Sequence, residues 1–189
     1  MRLAKSLLPY SKGRGKPMIL NRLFRKTGSP ERRLYEQIVA AARHPVPYAD
    51  WGVADSVDGR FDMIVLHLFL VLERLKGTHE PFRQKLVDEF FADMDRSLRE
   101  MGVGDVSVGK KVRKMAEAFY GRVAAYDEAL AKSPDFLIKA LERNVFPNGQ
   151  KDGAALRLAR YAIALRQSLA AQSTARIVAG EIVVPEPVP

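Results

Sequence analysis

The residues of this sequence with the clearest chemical potential are Asp55, Asp58 and Asp62 in "DSVDGRFD". Carboxylates at such close spacing can hold Mg²⁺ against a diphosphate. A site of that kind needs a second acidic group on a facing helix, which Glu89, Asp93 and Asp95 would have to supply. The competing expectation is structural, with these acids capping a helix and pairing with Arg60. His67 follows within the apolar run "MIVLHLFLVL", Met63 to Leu72. A lone His there is expected to be a core residue satisfied by a nearby carbonyl or carboxylate rather than a haem or metal ligand. His44 and His79 are scattered, and no second ligand stands at helical spacing from any of the three. The chain has no Cys, which removes thiolate nucleophiles, disulfides and Cys-based zinc sites. "GVGDVSVGKK" lacks the Walker spacing, and no His-Glu-x-x-His, nucleophile elbow or dinucleotide fingerprint occurs. These motifs mark no catalytic residues and no cofactor or metal, with the diphosphate-type site as the alternative.

The elements that must position these residues read as helices. Ser29 can cap, Pro30 suits the first helical position, and Leu34, Tyr35, Ile38 and Ala42 share a face. His44 to Gly59 carries two prolines and two glycines and is expected to be a loop. Asp58 is expected to cap a helix from Arg60 to about Leu75, apolar nearly all round and therefore central to a core. Phe82, Leu86, Phe90, Met94, Leu98 and Met101 mark an amphipathic helix that Gly102 ends. Val108, Val112, Met115, Phe119, Val123, Tyr126 and Leu130 mark a longer one. Gly121 inside it costs roughly 1 kcal/mol against Ala, which suggests a close helix contact there. Ser133-Pro134 starts another helix, and Ala154 to Ala171 a last one. The expected fold is all-α, a single domain of about six packed helices over 29–173. A basic arm, 1–28, precedes it. An extended or disordered Pro-rich tail, 174–189, follows it. Apolar residues at 47% suffice for a core, and the longest apolar run is too short to span a membrane. No sustained apolar signal segment is seen in the arm, and Met18 is an alternative start.

Charge is segregated along the chain. Residues 1–33 hold ten Lys/Arg against one acid, Glu31, and the remainder of the +9 chain is neutral. The basic stretch, including Arg22, Arg25, Lys26, Arg32 and Arg33, suits an electrostatic tether to RNA, a ribosome or an anionic membrane surface. "MILNRLFRK", Met18 to Lys26, could lie on a membrane as a short amphipathic helix.

"YADWGVADSVDGRFDMIVLHLFLVLERL" and "DEFFADMDRSLREMGVGDVSVGKKVRKMAEAFYGRVAAYDEAL" resemble the ubiquinol–cytochrome c chaperone family. The resemblance runs from about Leu34 to Leu130. It rests on Asp58, Gly59, Arg60, Phe61 and Asp62, with Asp55 just before them; on His67; on Arg99, Glu100, Gly102 and Asp105; and on Tyr120, Gly121, Arg122 and Tyr126. It implies an assembly factor for the bc1 complex, of the bacterial type, rather than an enzyme. Mitochondrial members bind newly made cytochrome b near the ribosomal exit and work with a small partner protein. By that likeness the partners would be cytochrome b, possible contact with a ribosome or anionic membrane through the arm, and a small partner subunit or a second copy. The implied location is cytoplasmic, peripheral at the inner face of the respiratory membrane. Binding an apolar client calls for an exposed apolar patch. Phe82, Phe90, Phe91, Met94, Met101 and Met115 are the candidates, because Met and aromatic side chains adapt to irregular partners. Adjacent Phe90 and Phe91 cannot both face one narrow seam, so one needs a second contact or a partner.

Overall fold

The computed structural model describes residues 28–149 and 153–188. Arg22, Arg25, Lys26 and the amphipathic stretch from Met18 lie outside them. Eight helices are present among the described residues: α1 (Pro30–Ala42), α2 (Pro45–Ala49), α3 (Val57–Arg74), α4 (Glu80–Glu100), α5 (Asp105–Lys132), α6 (Pro134–Val145), α7 (Ala154–Ala171) and α8 (Thr174–Val178). Six are of twelve residues or more, and no strand occurs among the described residues. The all-α expectation stands.

The arrangement follows from α3. Every residue from Phe61 to Leu72 is buried, so this helix has no face for solvent. It meets that requirement by packing against α1, α5, α6 and α7, while α4 closes the bundle against α1 and α5. Apolar side chains buried in this way each contribute about 1.5–3 kcal/mol. No helix in the described residues is long and apolar enough to cross a membrane, so α3 is covered by protein instead.

Local starts and stops differ from the sequence expectation in instructive ways. Ser56, not Asp58, caps α3: its Oγ accepts the Gly59 N–H at 3.1 Å. The helix therefore begins at Val57, and Asp58 sits exposed in the first turn, where a negative charge suits the helix dipole. The stretch expected to be loop contains α2, because Pro45 occupies a first helical position and His44 Nδ1 accepts the Val46 N–H at 3.3 Å. α4 stops at Glu100 and the chain turns through Gly102 at φ +79°. The tail is not wholly extended. Thr174–Val178 form α8 with Ile177 buried, and the rest runs extended over the body.

Two glycines play opposite parts. A Cβ at Gly59 would lie 2.0 Å from the Ala54 carbonyl oxygen, so the α3 entry is built around its absence. Gly121, expected to sit at a close helix contact, is exposed with nothing within 4 Å of a built Cβ. This position is open. Thermal and urea unfolding should separate them. Gly59→Ala is expected to cost about 3 kcal/mol or more, as steric clashes with backbone do. Gly121→Ala is expected to gain about 0.5–1 kcal/mol from helix propensity.

Candidate functional site

The three aspartates that could have formed a metal site do not converge. Asp55 and Asp58 point to solvent, while Asp62 is buried. Asp55 pairs with Arg60 at 2.7 Å, pinning the approach to α3. On α4, Asp93 accepts the Tyr35 O–H at 2.9 Å, Asp95 pairs with Arg99 at 2.7 Å, and Glu89 lies 3.7 Å from Arg32. No group of three potential ligands is assembled anywhere among the described residues. A shallow depression of about 430 Å³ is lined by Arg43, Tyr48, Asp55 and Arg60. Burial pushes the Tyr48 phenol up to about 12, so it stays protonated and donates to the Ala42 carbonyl.

The apolar candidates divide by exposure. Phe90 is fully buried at the hub of a ring cluster, 5.2 Å from Phe119, 5.9 Å from Phe61 and 6.5 Å from Tyr35 between centroids. Met94 is buried too. Neither presents a surface to a client. Phe91 resolves the question of adjacent phenylalanines: it is half-buried in a second contact, 5.5 Å from Phe119 and 6.4 Å from Tyr120. Phe82 and Met115 are also half-buried, and Met101 is exposed. The surface pairs of the family pattern sit at helix junctions. Arg99 holds Asp105 across the α4–α5 turn, and Glu100 beside it is exposed. Of the tether cations, Arg32 pairs with Glu36 at 2.7 Å, and Arg33 donates to the carbonyls of Gly28 and, at 2.8 Å, Ala179. Both serve the body rather than a free arm.

Several organising residues were not singled out in the sequence. Arg83 is completely buried, a position Arg almost never takes unpaired. Its Nε donates to the Leu72 carbonyl at 3.0 Å, satisfying the open C-terminal end of α3, and it pairs with Glu80. Arg74 does the same for α7, donating to the carbonyls of Leu169 at 2.9 Å and Gln172 at 3.0 Å. Gln37 and Gln172 bracket the tail. Gln37 Oε1 accepts the Ile182 N–H at 3.1 Å, and Gln172 Oε1 accepts the Val183 N–H at 2.7 Å. The Trp51 indole N–H donates to the Val188 carbonyl at 3.1 Å. The one available signal was cation spacing near helix ends, which does not distinguish a cap from a surface charge.

The remaining family-pattern residues gather inside. Arg122 on α5 reaches Asp62 on α3 at 2.6 Å and lies 5.4 Å from the centre of the Phe61 ring. Tyr126, one turn on, is buried 5.6 Å from Phe69. His67 Nδ1 must carry the proton it donates to the Met63 carbonyl at 2.8 Å, so Nε2 accepts the Tyr161 O–H at 2.8 Å. His67 is thus a satisfied core residue, as its setting in the sequence suggested. Burial pushes the Asp62 carboxyl up to about 6 against the pull of Arg122, and pushes the His67 imidazole down to about 4.

These two groups oppose each other in acid. The unfolded chain protonates His67 near 6.5 but the folded chain only near 4, so its contribution is present above 6.5 and lost as pH falls to 4. Folded Asp62 keeps its proton up to about 6 while the unfolded group loses it near 3.8, so its contribution rises as pH falls. Asp62→Asn removes the second slope. The unfolding free energy from urea titrations between pH 6 and pH 4 should then fall more steeply than in the wild type, by about 1.4 kcal/mol per pH unit. An unchanged slope would mean that Asp62 is ionised throughout.

Comparison with known proteins agrees with this arrangement. The model of the family described as ubiquinol-cytochrome C chaperone matches residues 49–184. The match extends past Leu130, where the sequence resemblance stops, and takes in α6, α7 and α8. Ubiquinol-cytochrome-c reductase complex assembly factor 1 of Xenopus laevis is 24% identical over 116 residues, which is 60% of this chain and 58% of that protein. The chain therefore spans a little over half the length of this curated relative. The crystal structure of the Cbp3 homolog from Brucella abortus is 41% identical, with a TM-score of 0.74, covering 89% of this chain and 97% of that one. With the family match covering most of its length, the chain belongs to the ubiquinol-cytochrome C chaperone family, a family of assembly chaperones and not of enzymes.

Proposed function

We infer that this protein is an assembly chaperone of the bc1 complex that binds newly made cytochrome b. The observation that carries the reading is the family match over 49–184, with a bacterial structure 41% identical across nearly its whole length. The chemistry agrees with it. Asp55 is paired with Arg60, Asp62 with Arg122, and His67 is hydrogen-bonded within the core, so these groups serve the fold.

The client face best supported is the seam between α4 and α5. Phe91, Met115 and Tyr120 lie there half-buried, packed against the core. Aromatic rings and a flexible thioether that stay partly open to solvent suit a client whose apolar helices vary in shape. Contacts with the ribosome, a small partner subunit or a second copy would use other surfaces.

Deleting the gene and recording reduced-minus-oxidised spectra of membranes tests the reading. Selective loss of b-type haem absorbance and of bc1 turnover, restored by the gene, is the expected result. Unchanged cytochrome b would overturn it. A photo-crosslinking residue at Phe91 or Tyr120 in the complemented strain should capture cytochrome b, whereas one at exposed Phe136 on α6 should not.

A further inference from the structure

The turn joining α4 to α5 is open to solvent. Every residue from Arg99 to Ser107 is exposed except Val103, which is half-buried. Among them are two large apolar side chains with nothing over them: Met101 at 53% and Val106 at 88% exposure. α5 then runs to Phe119 with Val108 as its sole buried residue. Along this stretch stand Lys110, Lys111, Arg113 and Lys114. All four are exposed, and none has an ion-pair partner among the described residues. Asp105 is held by Arg99 and Asp95 is held by the same guanidinium, so the acids nearest the tip are already paired. Glu100 and Glu117 remain, and the first half of α5 stays net positive.

The positions are ordered along the helix. Val106, Lys110 and Arg113 fall at i, i+4 and i+7, one outward ridge opposite the side that buries Val108 and Phe119. At 1.5 Å per residue the cations begin about 6 Å behind Val106 and end about 12 Å behind it. An apolar tip with a cationic collar at that depth matches a lipid interface, where hydrocarbon lies just beneath a layer of phosphates. RNA would take the cations and leave Met101 and Val106 in water. A peptide helix needs a groove to receive it, and a protruding turn offers none.

We propose that the α4–α5 turn docks on an anionic bilayer, with Met101 and Val106 entering the interface and Lys110, Lys111, Arg113 and Lys114 meeting lipid phosphates. The apolar tip is distinct from the seam assigned to the client, since Met115 lies about 13 Å and Tyr120 about 20 Å along α5 from Val106, and the cationic collar ends beside Met115. It concerns where the protein sits, and it holds whether or not cytochrome b is the client. With no described helix able to cross a membrane, contact of this kind is peripheral.

The test uses the full chain with vesicles of phosphatidylcholine alone and of two parts phosphatidylcholine to one of phosphatidylglycerol. Flotation should show binding to the mixed vesicles and little to the neutral ones. Replacing Lys110, Lys111, Arg113 and Lys114 by Gln together should weaken binding far more than tenfold, at about fivefold per charge near an anionic surface. Val106→Asp should weaken it as well. Both changes are at exposed positions, so neither threatens the fold. Because the chain has no Cys, Val106→Cys takes a single polarity-sensitive dye, whose emission should shift to the blue on mixed vesicles. The proposal fails if the fourfold Gln variant binds like the wild type, as tethering by the N-terminal arm alone would give. It also fails if the dye at position 106 does not shift. Wild-type binding by Val106→Asp would show a purely electrostatic face, of the sort that RNA or an acidic peptide would use, and would equally overturn it.

Discussion

The whole bundle depends on covering α3. A helix buried from Phe61 through Leu72 cannot exist alone in water, and each of its neighbours contributes the face that removes a part of it from solvent. α1, α5, α6 and α7 do so directly. The polar exceptions on α3 are placed where a neighbour can answer them: Asp62 opposite Arg122, His67 opposite Tyr161. Burial costs a charged or polar group dearly unless it is paired, so these partners are conditions of the fold rather than additions to it.

The same requirement governs the helix ends. Four carbonyls at the end of each helix lack intrahelical partners. Where α3 ends inside the protein, Arg83 supplies the donor, and where α7 ends, Arg74 does. Guanidinium suits this task because it offers several donors in a fixed plane and is never deprotonated. One consequence is that a basic residue count overstates the free positive charge of the body. Arg32, Arg33, Arg74, Arg83 and Arg122 are all engaged internally. The cations near the start of α5 differ from these in having no such ion pair among the described residues.

Much of the architecture was legible in the sequence because helical periodicity is a local property. The Phe82-to-Met101 spacing and the Val108-to-Leu130 spacing each mark a helix that the structure contains, and the all-round apolar character of the Met63 run announced a central position. His67 read correctly because a solitary imidazole among aliphatics has few other ways to be stable. What failed was what depends on which helix lies opposite. Gly121 carried the mark of a close contact but faces solvent, since small size permits approach without requiring it. Asp58 and Ser56 are both good caps, and only the backbone path through Gly59 decides for Ser56. Arg60 chose Asp55 and left Asp62 to an arginine sixty residues away, a pairing no spacing rule could show. The division of Phe90 and Phe91 between core and seam was anticipated as a necessity but not assigned, for the same reason.

The C-terminal segment is held through side-chain amides and an indole instead of through backbone pairing. Gln37, Gln172 and Trp51 act along its length, and Trp51 sits nearest its end, in contact with Tyr161 as well as with the Val188 carbonyl. Trp51 is the single tryptophan of the chain. Its near-ultraviolet emission therefore carries the state of this terminal strap as an intrinsic optical signal, with no label added and no other chromophore of its kind to confuse it.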